Sequence, residues 1–487
     1  MSKNKIDFDN VDEKKIPSFA SVLFVFIYLI IAMGISVLWL EIPIHITLVS
    51  AIIVATVVAM MQGYTWDEIQ KGILHGCSIA MLPMLILMII GAIIGAWISA
   101  GTIQTIIFYG MQLISPRWFL VAAALMCSIT SLATGSAWTT SGTIGVALMG
   151  IGAGLGVPAG MTAGAVISGS YFGDKMSPLS DSTNLAAAVA EADLFDHIKH
   201  MIYTVGPGLA LSLIAYAFLG FRFGGDTIDP AQMAVINETL TGLEQNFNLS
   251  LWLLIPPVAV IIMAVKKVPA LASLVISALL GGIFALIFQG ESIHAITQAM
   301  NWGFVSNTGI ESVDSLLSRG GMQSMMWTVS LGFIALSFGG ILEKTYMLEV
   351  VLNKIQPLIK TTGSLVITTL LGSLATNFSM ASQYMAIIIP GRMLAPAYKR
   401  LNLKTKNLSR ALEDGGTLFA PLVPWSLSGA FSASVLGIST LEYVPYAFLC
   451  FFVPIISAIY GVTGFTMEEE DTELNAEDNE EQKELVK

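Results

Sequence analysis

Residues 169–188 read GSYFGDKMSPLSDSTNLAAA, which places two aspartates, a lysine and five hydroxyl side chains besides Tyr171 in the middle of an otherwise apolar chain. Ionisable groups are costly at membrane depth, and where they occur they face a bundle interior or a wet cavity. The fold therefore turns on whether this stretch is a loop in water or a broken helix inside a bilayer. Of the 487 residues, 55% are hydrophobic and 12% charged, and the mean hydropathy is +0.75. Apolar runs close to the length that crosses a bilayer recur at 19–40, 44–61, 79–100, 201–219 and 268–288. The expected class is an all-α polytopic membrane protein, with no soluble domain of any size between the spans. The run at 19–40 follows a polar start and lacks a small-residue cleavage pattern, so it reads as a retained first span after an N-terminal tail at 1–18. Cys77, Cys127 and Cys450 lie in apolar surroundings without metal-type spacing and read as core packing. The net charge of −11 owes much to the end of the chain, which reads as an acidic disordered tail over 465–487.

The stretch has an echo. Ser131–Thr134 and Ser373–Thr376 both read SLAT, and farther on SPLSDS (Ser177–Ser182) aligns with VPWSLS (Val423–Ser428) at nearly the same spacing. Two landmarks in register suggest a duplicated unit. Lysines and arginines of short loops stay in the cytoplasm. The polar connector 223–250 carries four acids and no Lys or Arg, so it is expected outside. Lys266-Lys267, the segment from Lys344 to Lys360 and the basic stretch from Arg392 to Arg410 are expected inside. These placements agree if residues 365–390 form a re-entrant hairpin with SLATNFSMASQ at its tip. The matching hairpin of the first half spans 118–156, with SLATGSAWTTSGTIG at its tip. Each half then holds five transmembrane helices and one hairpin, and the odd count makes the repeats inverted. The expected organisation is a first repeat at 19–222, an extracytoplasmic linker at 223–250 and a second repeat at 251–464. Both termini come out cytoplasmic, and only Arg117, Arg222 and Arg319 remain on outer loops.

Irregular backbone at membrane depth is tolerated only where protein or a wet cavity satisfies its N–H and C=O groups. Four such places stand out: the two hairpin tips, FGDKMSPLSDSTN, and EDGGTLFAPLVPWSLSG. Gly173, Pro178, Gly415, Gly416, Pro421 and Pro424 supply the expected breaks. Asp174 and Asp181 are candidate cation ligands, with Ser177, Ser180, Ser182, Thr183 and the Asn184 amide oxygen completing a hard, oxygen-rich shell. The alternative is that Asp174 and Lys175 form a loop-end pair in water while Asp181 caps a helix. Glu413 and Asp414 either reach the same cavity or pair with Arg410 at a helix start. At the tips, Thr134, Ser136, Thr139, Thr140, Thr376, Asn377, Ser379 and Gln383 could ligate an ion or substrate, or could simply glue helices together. GAIIG (Gly91–Gly95) and the glycines from 142 to 169 offer faces for close helix approach. DLFDHIKH sets Asp193, Asp196, His197 and His200 on one helix face, which reads as the solvated side of a cytoplasmic amphipathic helix. No HExxH or GxSxG motif occurs, which weighs against a protease or hydrolase.

GSYFGDKMSPLSDSTNLAAAVAEADLFDHIKHM and LSRALEDGGTLFAPLVPWSLSGAF resemble the two signature segments of the NhaC family of bacterial Na⁺/H⁺ antiporters, within the ion transporter superfamily. The similarity runs from the first helix to Gly464, and the second segment departs at Ser426, where many members carry Asn. The resemblance implies secondary active Na⁺/H⁺ antiport by an elevator-like movement, with Na⁺ at Asp174 and Asp181. The family also holds malate/lactate antiporters, so the alternative is an organic acid exchanger coupled to Na⁺ and H⁺. It further implies a bacterial cytoplasmic (inner) membrane location and a homodimer. Na⁺, H⁺ and the lipid bilayer are the expected partners, with no cofactor, no nucleic acid and no enzymatic activity.

Overall fold

The computed structural model describes residues 16–470, apart from 41, 224–229, 267 and 356–358. Most of the expected N-terminal and acidic tails, and part of the 223–250 connector, lie outside the described residues. Within them the chain is helical, with one isolated β-bridge between Leu403 and Glu469. Among the described residues seven helices are long and apolar enough to cross a membrane, and ten if three bent pairs count as single spans. Outward faces such as Phe24, Ile30, Ile53, Ile129, Ile214 and Phe218 are exposed and apolar, as lipid contact requires. The chain is a multi-pass membrane protein.

One order of elements occurs twice. Two apolar helices (Phe19–Ile35 with a π-turn to Leu40, then Ile44–Met61) lead to a long helix, Trp66–Ala100, and a short one, Thr102–Leu113. A helical hairpin follows, Pro116–Thr134 with an interrupted second arm from Ala137 to Gly154. Next come a broken pair, Ala159–Met176 and Asp181–Ala190, and a final helix, Leu194–Phe223. In the second half the order runs through Ile255–Val265 and Ala270–Phe284 and then, after two added helices at Ile293–Trp302 and Glu311–Leu317 that the first half lacks, through Met326–Lys344 and Met347–Ile355. It continues with the hairpin Thr362–Met380 and Gln383–Arg400, the broken pair Thr405–Gly416 and Leu427–Leu436, and Phe448–Thr463. The hairpin tips fall at Gly135–Ser136 and Ala381–Ser382, beside the two SLAT sequences.

Two boundaries differ from the sequence reading. The helix expected to begin near Ile79 starts at Trp66, where Thr65 and Glu68 form a capping box, so polar WDEIQK is the first turns of a 35-residue helix. DLFDHIKH is continuous with its membrane span in Leu194–Phe223, because nothing between them breaks the helix.

Glycine sets the closest crossings. Gly72 and Gly76 lie against Gly340 and the Leu336 carbonyl, so the two long helices meet backbone to backbone. Gly91 and Gly95 meet Gly321 and Ala299 in the same way, as GAIIG suggested. Gly76→Leu is expected to cost about 1–3 kcal/mol through forced separation of these helices. Gly34→Leu serves as the control, since nothing lies within 4 Å of a Cβ built there. Thermal unfolding of both variants in detergent checks this, with only Gly76→Leu lowering the midpoint.

Candidate functional site

The first break forms because Pro178 cannot donate a helix hydrogen bond and the side chains around it take over the freed backbone groups. The helix stops at Met176 and restarts at Asp181, where Ser180 Oγ accepts from Thr183 N at 3.4 Å. Ser177 Oγ donates to Leu132 O at 2.9 Å and Thr183 Oγ1 to Lys175 O at 3.0 Å. Asn184 Nδ2 donates to Pro178 O at 2.9 Å and Ser180 O at 2.7 Å. The donors of Ser177, Thr183 and Asn184 thus act on backbone carbonyls. Ser177 and Thr183 are buried and do not line the cavity described next. Gly173 does not break the helix either. It lies inside Ala159–Met176, and a Cβ there would meet the backbone of Leu132 and Ser128, so its role is to let this helix press against the first hairpin.

That contact seats Asp174 on a cavity of about 830 Å³. The wall combines Thr134, Ser136 and Thr139 of the first hairpin tip, Asp181 and Ser182 of the first break, and Gln383 and Tyr384 of the second hairpin. Ile79, Pro83 and Ile86 of the long helix close the apolar side. Asp174 is 6% exposed, with the Ser180 hydroxyl and the Ala137 N–H beside it, whereas Asp181 is exposed. Neither aspartate forms an ion pair among the described residues. The second tip contributes less than expected. Thr376 Oγ1 and Ser379 Oγ donate back to Gly372 O and Ala375 O of their own helix, and Asn377 Nδ2 donates to Gly416 O, all away from the cavity.

Lys175 was overlooked as a site residue. It is fully buried, and its Nζ lies 2.8 Å from Asp414 Oδ1 and 3.8 Å from Glu413 Oε2, both also fully buried. Asp414 Oδ1 further accepts from Thr204 Oγ1 at 3.2 Å. The loop-end pair in water is therefore corrected: successive residues on a helix point about 100° apart, so Asp174 faces the cavity while Lys175 turns inward to the other broken pair. Arg410, the other partner considered for these acids, instead donates to Thr466 Oγ1 at 2.9 Å.

The Na⁺/H⁺ antiporter family model matches residues 169–465, beginning at the opening stretch. The chain belongs to this family. It is 39% identical to the Na⁺/H⁺ antiporter NhaC of Alkalihalophilus pseudofirmus, over 90% of this chain and 94% of that protein. It is 38% identical to the malate-2H⁺/Na⁺-lactate antiporter of Bacillus subtilis, over 91% and 93%. It is 37% identical to the arginine/ornithine antiporter ArcD of Halobacterium salinarum, over 97% of each.

In this family member the second break repeats the first. Ser426 caps Leu427–Leu436 by accepting from Gly429 N at 2.9 Å, and its hydroxyl donates to Ala420 O. At the position where the first half has Asp181, the second half has Leu427, so the cavity acids come from one half alone.

The histidine face also needs correction. Asp193 and Asp196 are exposed, but His197 and His200 are buried. His197 Nδ1 meets Ser409 Oγ at 2.7 Å, and His200 Nδ1 lies 3.7 Å from Glu468 Oε1. Packing against Thr405–Gly416 draws one side of this helix inward. No group of three or more His, Cys, Asp or Glu side chains could hold a metal ion among the described residues. Glu468 in turn pairs with Lys406, and its backbone bonds Asn407 and Lys404, so the expected tail is folded at its start.

Proposed function

We propose that this chain exchanges Na⁺ for H⁺ across the bacterial cytoplasmic membrane, with the Asp174 carboxylate as the shared site. One observation carries the reading: Asp174 is nearly buried, faces the cavity between both hairpins, and has no basic partner because the adjacent lysine is committed to Asp414. A carboxylate at such depth needs a neutralising cation, and the cavity offers oxygen ligands suited to Na⁺. A carboxyl that holds a proton does not hold Na⁺ at the same oxygen, so occupation by one excludes the other. Movement permitted only when Asp174 is neutralised converts a proton gradient into Na⁺ export, with no covalent chemistry. Asp181, exposed at the rim, attracts cations toward the cavity.

The recurrence of one element order supports two repeats of five spans and one hairpin each. With both termini cytoplasmic, the second repeat is inverted and the breaks meet near mid-membrane. Elevator-like movement and a homodimer enter this reading from the resemblance. Na⁺ and H⁺ act as transported ions, not cofactors.

Competition sets a pH dependence. Where the site is largely protonated, the apparent Na⁺ affinity is expected to improve about tenfold per pH unit and then level off as pH rises, at constant maximal rate. Initial rates in proteoliposomes at several Na⁺ concentrations and pH values check this. A maximal rate that rises with pH while the apparent affinity stays fixed contradicts a shared site.

A further inference from the structure

A second cavity, of about 480 Å³, shares no wall residue with the first. It lies between the loop that precedes Met326–Lys344 and the end of the second broken pair, with Ile94 of the long helix behind it. We infer that this cavity is a binding site for a small organic carboxylate, anchored by the Arg319 guanidinium. The inference goes beyond cation exchange and stands independently of Asp174.

The loop is built to hold Arg319 in place. Asp314 accepts from Ser306 Oγ at 2.7 Å, from Thr308 N and Oγ1 at 2.8 Å each, and from Gly309 N at 3.1 Å. These donors hold its carboxyl down at about 2. Asp314 is thereby saturated and does not serve as the arginine's counter-ion. Phe304 N bonds Arg319 O at 3.0 Å and Gly321 N bonds Gly91 O at 2.7 Å, which clips the loop onto the long helix. Gly320 and Gly321 permit this path with φ of +87° each.

Arg319 itself is partly buried and forms no ion pair among the described residues, and no acid lines the cavity. A desolvated guanidinium left without an anion is costly, and its planar fork matches a carboxylate in two parallel hydrogen bonds. Two hydroxyls on the wall are free to join it. Ser318 Oγ accepts from Ser306 N and has its own proton to give, and Ser434 Oγ meets only the weak acceptor Met325 Sδ at 3.3 Å. Trp302, Met325 and Val435 supply apolar wall for a short carbon skeleton. That combination excludes an inorganic cation and suits an organic acid of a few carbons.

Equilibrium binding of radiolabelled malate and lactate to the purified full-length protein at fixed Na⁺, with chloride as competitor, tests the site. Saturable binding of at least one acid is expected in the wild type. It should weaken by ~10-fold or more in Arg319→Gln. Ser434→Phe, which keeps the arginine but fills the cavity, should weaken binding likewise. Asp174→Asn is expected to retain the binding, and Arg319→Gln to retain Na⁺/H⁺ exchange without added acid, which separates this failure from that of the cation reading. The inference is overturned if the wild type binds neither acid, if both cavity variants bind as the wild type does, if Asp174→Asn alone abolishes binding, or if chloride competes equally. It is also overturned if co-purifying anionic phospholipid, found by mass spectrometry in the wild type and absent from Arg319→Gln, occupies the cavity in place of the acid.

Discussion

Asp174→Asn is expected to reduce Na⁺-driven proton movement in proteoliposomes to the level of protein-free vesicles. The fall should be ~100-fold or more, at least about 2.7 kcal/mol in the transport barrier. The amide preserves size and hydrogen bonding to Ser180 and the Ala137 N–H, so folding should survive. What it loses is the ability to alternate between a proton and Na⁺, which is the whole of the proposed coupling. Asp181→Asn is the matched control. Its carboxyl is exposed at the rim, where water and salt screen it, so only a several-fold loss of apparent Na⁺ affinity is expected, greater at low ionic strength. Full activity in Asp174→Asn, read by an internal pH dye, contradicts the assignment.

Lys175→Met should act on the fold. It leaves Asp414 and Glu413 fully buried without their cation, and breaking a buried pair by removing one partner costs about 3–5 kcal/mol. The expected outcome is low yield of monodisperse protein and a markedly lower thermal midpoint. Lys175→Met combined with Asp414→Asn should recover part of the loss, because one of the two uncompensated acids is then removed and Thr204 still has an acceptor. A single variant as stable as the wild type, followed by fluorescence-detected size exclusion after heating, contradicts a structural role for the pair.

How much of this was legible beforehand depends on whether a signal is local. Pro178 and Pro424 announce the two breaks because a missing N–H acts within a turn, and the SLAT sequences mark both hairpins because small and hydroxyl residues interrupt an apolar run there. The long helix was cut short because WDEIQK reads as polar, although a capping box at Thr65 is itself a local signal. The Lys175 pairing was not legible. Its partners lie more than 200 residues away, and which of two adjacent ionisable residues turns inward depends on the helix phase at which the chain packs. The same phase decides that His197 and His200 are buried while Asp196 is exposed. Arg319 was placed only on an outer loop, and its cavity exists through contacts between the loop and Ser434 in a distant element.

The central claim is that Na⁺ and H⁺ displace one another at Asp174. The most direct measurement adds Na⁺ to purified protein in weakly buffered detergent solution and follows proton release with a pH indicator, with K⁺ as control. The wild type and Asp181→Asn should release protons on Na⁺ addition, and Asp174→Asn should release none. Undiminished Na⁺-dependent release from Asp174→Asn would contradict the account.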